Sequence, residues 1–385
     1  MSSAKPSLEL LRSLTEEHVL RALMEHRQLT RAEIAGLTGI SKPTISEGVR
    51  RLVQMGLVVE TGERSSGRGR SGSYHSLAPD CGTALVVSIT AQGVTVEALD
   101  PFGSVVASSV VVLDRDAGAQ AVARALGEAL AAVTAARPDR SPTPRLAVVS
   151  AADPVDRTTG RLVHLPDAPF LVGDLDPASL LAAAVDGPVL VDNDVNWAAR
   201  AEQSAGLAGA VGGSPDFVYL YLDEGLGCAV VSDGHVRRGH SGLAGEIAHL
   251  VTHGADGRAT RLTDVFAQLS LRRHASTAID VDLLRARVAA TSEGDPTLGV
   301  LVAALTGVLE AAVALTDPEV VVLGGAWGCD PAVVGALRRR MVDLPRAVDV
   351  VPACLADQPQ LAGARAAALE QLREVIVTTI RSPVT

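Results

Sequence analysis

The chain has 385 residues and a formal net charge of −10; 47% of its residues are hydrophobic, yet only 2% are aromatic. The length suits two or three domains, and the composition is that of a globular protein with cores of Ala, Val and Leu, which excludes a disordered chain. The charge argues against general affinity for polyanions, but residues 1–80 carry 11 Lys and Arg against 9 Asp and Glu while the remainder carries 23 against 35. Any nucleic-acid contact therefore belongs at the N-terminus.

In chain order, Thr15 followed by Glu16 and Glu17 predicts an N-cap and first turn, with Val19, Leu20, Leu23 and Met24 at helical spacing behind it. Thr30 and Glu33 have the spacing of a capping box, and Leu29 and Ile34 that of a hydrophobic staple, so a short second helix ends near Gly39. A third helix follows in "ISKPTISEGVRRLVQMGLV" (40–58), with Ser41 as N-cap, Pro43 in the first turn and Gly56 at the C-terminal cap. Its apolar face is Ile45, Val49, Leu52 and Val53; its polar face is Lys42, Thr44, Ser46, Glu47, Arg50 and Arg51. Two helices joined by a tight turn, the second opening on short polar side chains, form a helix-turn-helix.

The next stretch, "LVVETGERSSGRGRSGSYHSLAP", reads as strand, turn and strand. Gly67, Gly69 and Gly72 allow close approach to a duplex, and Arg64, Arg68 and Arg70 can track phosphates or enter a narrow minor groove. Each feature alone is common in small packed domains, but Arg and Gly interleaved at a loop tip serve no packing purpose. Residues 1–80 are thus expected to be a winged helix-turn-helix DNA-binding domain. Ser41, Lys42, Thr44 and Ser46 should lie nearest bases or phosphates, and Arg50, Arg51, Arg68 and Arg70 mainly on the backbone.

From Ala84 the pattern changes to three apolar, β-branched runs with short turns, which predict an antiparallel meander. An Ala-rich helix (117–136), a buried strand in "RLAVVSAADPVD" and a strand, polar junction and helix in "GPVLVDNDVNWAARAEQSAG" follow. "PDFVYLYLDEGLGCAVVSDGHVRRG" restarts the pattern, with Gly225 and Gly227 at the turn between two strands, and predicts a second sheet-bearing lobe. Asn193, Asp194, Glu246 and His249, grouped at strand ends of two lobes, mark a candidate ligand cleft. The apolar run 298–316 approaches membrane-spanning length, but Glu310 interrupts it and "DPEVVVLGG" follows as turn and strand, so a buried core helix is expected and no membrane partner. Cys81, Cys228, Cys329 and Cys354 form no C-x-x-C pair, and no basic segment precedes an apolar run at the start. Free thiols and a cytoplasmic location are expected.

These residues carry a resemblance. "GRGRSGSYHSLAPDCG", "ADPVDRTTGRLVHLPD", "VDNDVNWAARAE", "LDEGLGCAVVSDGHVRRGHSGLAGEIAHL" and "DPEVVVLGG" resemble the ROK (repressor, ORF, kinase) family of transcriptional regulators across essentially the whole chain. The resemblance implies an α/β chain: an N-terminal winged helix-turn-helix (1–80), then a two-lobed domain of the actin, Hsp70 and sugar-kinase type, ribonuclease H-like (81–385), that senses an effector and dimerises. Its expected partners are double-stranded DNA with a palindromic operator, a sugar, amino sugar or sugar phosphate, and a second copy of the chain, as a homodimer or dimer of dimers.

Residue by residue, Asp194 falls where sugar kinases of the family place the Asp that deprotonates the sugar hydroxyl. Their Asp-x-Gly-Gly-Thr phosphate hairpin is replaced by "SITAQG", with Ser88, Thr90, Ala91 and Gln92 at its key positions, so no ATP-dependent catalysis and no cofactor are expected. The zinc-binding pattern keeps Glu246 and His249 but none of the following cysteines, so no metal is expected. Ala152 and Asp153 replace the Pro and Gly of the sugar loop, and Asp167 replaces a sugar-contacting Asn. The candidate ligand residues are Asp153, Asp167, Asn193, Asp194, Glu246 and His249. An added carboxylate points to an amino sugar, or to a cleft that has lost its ligand. Two other readings stay open: a sugar kinase with an appended DNA-binding domain, and a ligand-independent dimeric repressor.

Overall fold

The computed structural model describes residues 8–65, 72–115, 117–137, 141–166, 168–170, 174–205 and 214–380. The first helix, α1 (Leu8–His26), begins earlier than its capping signal suggests. Leu8–Leu14 contains no helix breaker, so the helix runs through Thr15, whose hydroxyl donates to the Leu11 carbonyl (2.9 Å) instead of capping. In α2 (Arg31–Thr38) the reciprocal capping box is present: Glu33 N–H donates to Thr30 Oγ1 (3.3 Å), and Thr30 N–H donates to Glu33 Oε2 (2.7 Å). Gly39, at φ +70°, turns the chain into α3 (Lys42–Gln54), which Ser41 caps by accepting from Thr44 N–H (3.4 Å).

Helix α3 buries Ile45, Gly48, Val49 and Leu52. Val53, expected on that face, is 43% exposed because it lies about 80° around the helix from Ile45. Strands β1 (Gln28–Thr30), β2 (Val58–Arg64) and β3 (Ser73–Leu77) form an antiparallel sheet in the order β1-β3-β2, the wing of a winged helix-turn-helix. Arg68 and Arg70, expected in the wing, lie outside the described residues, as does Asp167.

The body contains two five-stranded sheets with one plan. In the first lobe the expected meander is β4 (Ala84–Thr90), β5 (Gly93–Leu99) and β6 (Val105–Val112), followed by α4 (Ala119–Ala136), β7 (Leu146–Ala151), α5 (Pro177–Leu181), β8 (Val189–Asn193) and α6 (Asp194–Ala205). The sheet order is β6-β5-β4-β7-β8, with β4, β7 and β8 parallel. The second lobe repeats it: β9 (Phe217–Leu222), β10 (Leu226–Ser232), β11 (His235–Val236), and later β14 (Val320–Gly324) and β15 (Asp349–Pro352), in the order β11-β10-β9-β14-β15. Between β11 and β15 lie the hairpin β12 (Val251–His253) and β13 (Ala259–Arg261), then α7 (Leu262–Gln268), α8 (Val281–Ala289), α9 (Thr297–Thr316) and α10 (Pro331–Val342). Helix α9 is long and apolar enough to cross a membrane, but it packs Leu301, Leu305, Leu309 and Val313 into the core of this lobe, around Phe266 and Trp327.

The last helix, α11 (Pro359–Thr379), ties the parts together. It packs along α6, where Gly363 lies so close to the Trp197 carbonyl that an added methyl would overlap it. Its other end enters the winged helix: Leu372, Ile376, Val377 and Ile380 share one apolar cluster with Val19, Leu20, Leu23 and Leu52. Arg373 donates to the carbonyls of Met24 and Pro101 (both 3.0 Å), and Arg21 pairs with Glu374 (3.0 Å).

Gly363→Ala should destabilise the protein by about 1–3 kcal/mol through overpacking. Gly127→Ala, in α4 where an added methyl meets nothing within 4 Å, should stabilise by up to about 1 kcal/mol. Urea denaturation of the two variants checks the contrast.

Candidate DNA-reading helix and ligand cleft

On α3 the sequence-predicted residues divide. Ser41, Lys42, Thr44 and Arg50 are exposed and Ser46 is half-buried, all at or near the N-terminal half of the helix. Arg51 differs: its guanidinium donates to Glu16 (2.5 Å) of α1 and to Glu47 (3.1 Å). Glu16 is 6% exposed, so Arg51 neutralises a buried carboxylate and fixes α3 on α1. Arg50 is also engaged, donating twice to Glu47 (3.1 and 2.6 Å), but this pair lies fully in solvent and opens at little cost. Ser41 Oγ lies 2.7 Å from Thr44 Oγ1, which orders the two hydroxyls at the helix entrance.

A cavity of about 170 Å³ lies between the lobes, at the carboxyl ends of β7, β8 and β9. Asp153, Asn193, Asp194, Glu246 and His249 all line it. The parallel sheets explain the grouping: each strand ends at the same edge, and the loop or helix after it opens into the crevice. Asn193 joins two of these ends, since its Nδ2 donates to the Asp153 carbonyl (3.1 Å) and its Oδ1 accepts from Val195 N–H (3.0 Å). Asp194 opens α6 and also accepts from Val195 N–H (2.8 Å).

Other lining residues escaped the sequence reading, among them Tyr221, Asp223, Glu224 and Gln360. The acidic turn after an apolar strand in "YLYLDEGLG" was a usable signal for Asp223 and Glu224; nothing local marks Gln360, the second residue of α11. Glu224 takes Arg115 of the first lobe (2.8 and 2.9 Å) and Arg273 of the second (3.0 Å), so it latches the mouth. Asp192, 4% exposed, likewise pairs across the lobes with Arg238 (2.5 Å) and accepts from Asn196 Nδ2 (2.9 Å).

The β4–β5 hairpin also reaches the cavity through Thr90, Ala91 and Gln92. The Thr90 hydroxyl donates to the Gly93 carbonyl (3.2 Å) and accepts from Gln92 N–H (3.3 Å), so it is spent within its own turn. Behind His249, residues 250–268 include no cysteine, and among the described residues no three His, Cys, Asp or Glu side chains come close enough to share a metal ion. The donor set does not fit a zinc site.

Burial dominates the electrostatics of the cleft. It pushes the Asp153 carboxyl up to about 8, with the charges of Asp194 and Glu246 adding to the effect. It pushes Asp194 and Glu246 each up to about 7. A carboxyl raised in the folded state holds a proton that the unfolded chain has already released, so its stabilising contribution is present below about pH 4 and lost as pH rises towards 8. The thermal midpoint of the ligand-free protein should therefore fall from pH 5 to pH 8.5, and Glu246→Gln should make that fall shallower. Identical slopes for the two proteins would show that Glu246 ionises normally.

Comparison with known proteins agrees with this architecture. The sequence matches the ROK family over residues 104–371 and the MarR family over residues 13–70. It is 23% identical over 241 residues to the xylose repressor of Caldicellulosiruptor bescii, covering 62% of this chain and 59% of that protein. To the xylose repressor of Bacillus subtilis it is 21% identical over 240 residues, covering 62% and 61%. The chain thus spans about three fifths of the length of these curated relatives. A solved ROK family transcriptional regulator, a homologue of the E. coli Mlc protein, superposes with a TM-score of 0.63 at 18% identity, covering 97% of this chain and 100% of that one. The ROK hexokinase from Thermus thermophilus superposes with a TM-score of 0.55 at 24% identity, covering 76% and 99%. Both likenesses are likenesses of fold, and with well over half of the sequence matched, the chain belongs to the ROK family.

Proposed function

We propose that the protein is a sequence-specific DNA-binding regulator, a repressor, controlled by a sugar-class ligand in the cleft and without kinase activity. The observation that carries this reading is the path of α11, which starts at the cavity with Gln360 and ends inside the core of the winged helix. A ligand that prefers one arrangement of the lobes shifts α6 and α11, and with them the position of α3. Similarity to the xylose repressors supports both the repressing role and a sugar effector. A homodimer would place two copies of α3 on the half-sites of a palindromic operator. The domain division at residues 80 and 81 belongs to the same reading, with 1–80 reading DNA and 81–385 sensing the ligand and pairing the chains.

One observation favours a kinase: Asp194, raised to about 7, is suited to act as a general base on a sugar hydroxyl. The hairpin tip argues against it, because the Thr90 hydroxyl is committed to its own turn and Ala91 and Gln92 carry side chains where phosphate needs close backbone approach. ATP turnover with any sugar, lost in Asp194→Asn, would overturn the regulator-only reading.

Lys42→Ala should weaken DNA binding, lower the salt dependence by about one phosphate contact and leave the thermal midpoint unchanged. Arg51→Met should instead lower stability by about 1–3 kcal/mol, because it leaves Glu16 buried without its partner. Fluorescence anisotropy on fragments selected from genomic DNA, beside thermal melts, separates the reading residue from the structural one.

A further inference from the structure

We propose that the ligand of the cleft carries a protonated amine, as a free amino sugar or an aminocyclitol does, and that Asp153 is the residue that receives the ammonium. The proposal rests on the reading of the cleft as a ligand site and names the ligand class. Asp153 is 1% exposed and lines the cavity, and among the described residues its enclosed Oδ2 has no hydrogen-bond partner. Its loop is pinned by the bond from Asn193 Nδ2 to its carbonyl, so the side chain is held in place rather than stranded there by a mobile segment. A buried carboxyl oxygen without a hydrogen-bond partner is costly whether or not it carries a proton, and such atoms in a folded protein call for an absent partner.

The rest of the lining narrows the chemistry of that partner. Asp194, Asp223, Glu224 and Glu246 share the cavity with Asp153, and among the described lining residues none is Lys or Arg and His249 is the one basic side chain. Glu224 is compensated by Arg115 and Arg273 at the mouth; among the described residues no Lys or Arg forms an ion pair with Asp153, Asp194, Asp223 or Glu246. A phosphate or carboxylate ligand would be repelled here. A neutral sugar offers hydroxyl donors but leaves the charge uncompensated, whereas an ammonium supplies three N–H donors and the opposite charge at one point. The cavity, about 170 Å³, suits a single ring. The raised affinity of Asp153, Asp194 and Glu246 for protons is what the same field does when no such cation is bound.

The test is titration calorimetry of the full chain at pH 7 with glucosamine, galactosamine and mannosamine, each beside its N-acetylated form and its parent sugar, and with xylose and glucose 6-phosphate. The expected result is that at least one free amino sugar binds at least about tenfold more tightly than its acetylated and parent forms, and that Asp153→Asn abolishes this preference. Because Asp153→Asn removes a buried charge, it should raise the thermal midpoint at pH 8, which separates loss of recognition from loss of folding. Binding of a neutral or phosphorylated sugar in preference to every free amino sugar would overturn the amine assignment while leaving the sugar-sensing reading intact. Binding of none of these compounds would overturn both. A preference for amines that persists in Asp153→Asn would overturn the role of Asp153.

Discussion

The close crossing of α6 and α11 is the contact on which the rest of the molecule depends. Gly363 allows the two backbones to approach until a side chain has no room, and Trp197 on α6 is locked from its other side by donating Nε1–H to the Val149 carbonyl of β7 (2.9 Å). The first turn of each helix borders the cavity, through Asp194 and Gln360. With 21 residues, α11 spans about 30 Å, enough to carry a displacement at the cleft into the winged helix without an intervening loop. Close-packed apolar contacts at its far end, around Ile376 and Leu20, make the winged helix an extension of the body's core rather than a domain on a tether.

Around this spine the two lobes meet through the apolar face of α6, where Val195, Ala198 and Ala199 pack with Phe217, Tyr219 and Ala229 of the second sheet, and through charged contacts at the cleft. Arg115 to Glu224 and Arg238 to Asp192 cross between sheets of the same plan, and each places a guanidinium on a largely buried carboxylate. Such pairs fix one geometry more than they add stability, since desolvation offsets much of their attraction. A cleft bridged by two ion pairs and lined by carboxyl groups whose proton affinity burial has raised is one that a bound ligand can rearrange. That is the physical content of the regulator reading.

Much of this was legible in the sequence, for reasons that differ by element. The capping box of α2 and the Ser41 cap are local patterns, so they were read correctly from a few residues. The start of α1 was placed at Thr15 because capping chemistry was visible there, while a helix continuing through Leu8–Leu14 shows only the absence of a breaker. Arg51 looked like its neighbour Arg50, and only the buried Glu16, 35 residues earlier, assigns it a different task. Asn193, Asp194, Glu246 and His249 could be grouped because strand ends converge in such folds, whereas Asp153 entered only through the family resemblance of its loop. Gln360 could not, since its place at the cavity depends on how the last helix returns along α6. The restart of the strand pattern near Phe217 was visible, but the order in which the strands of each sheet pair was not, because β-branched apolar runs are alike whatever order they pair in.

The measurement that tests the account most directly is the affinity of the full chain for a selected DNA fragment, by fluorescence anisotropy, with and without a cleft ligand at saturation, in the native sequence and in Arg373→Ala. Arg373 touches neither the cleft nor the duplex face; it joins α11 to the carbonyls of Met24 and Pro101. The account predicts an affinity change of about tenfold or more on ligand binding, corresponding to about 1.4 kcal/mol of coupling, and a smaller change in Arg373→Ala although that variant still binds both ligand and DNA. An affinity that stays constant while the cleft is saturated would contradict it.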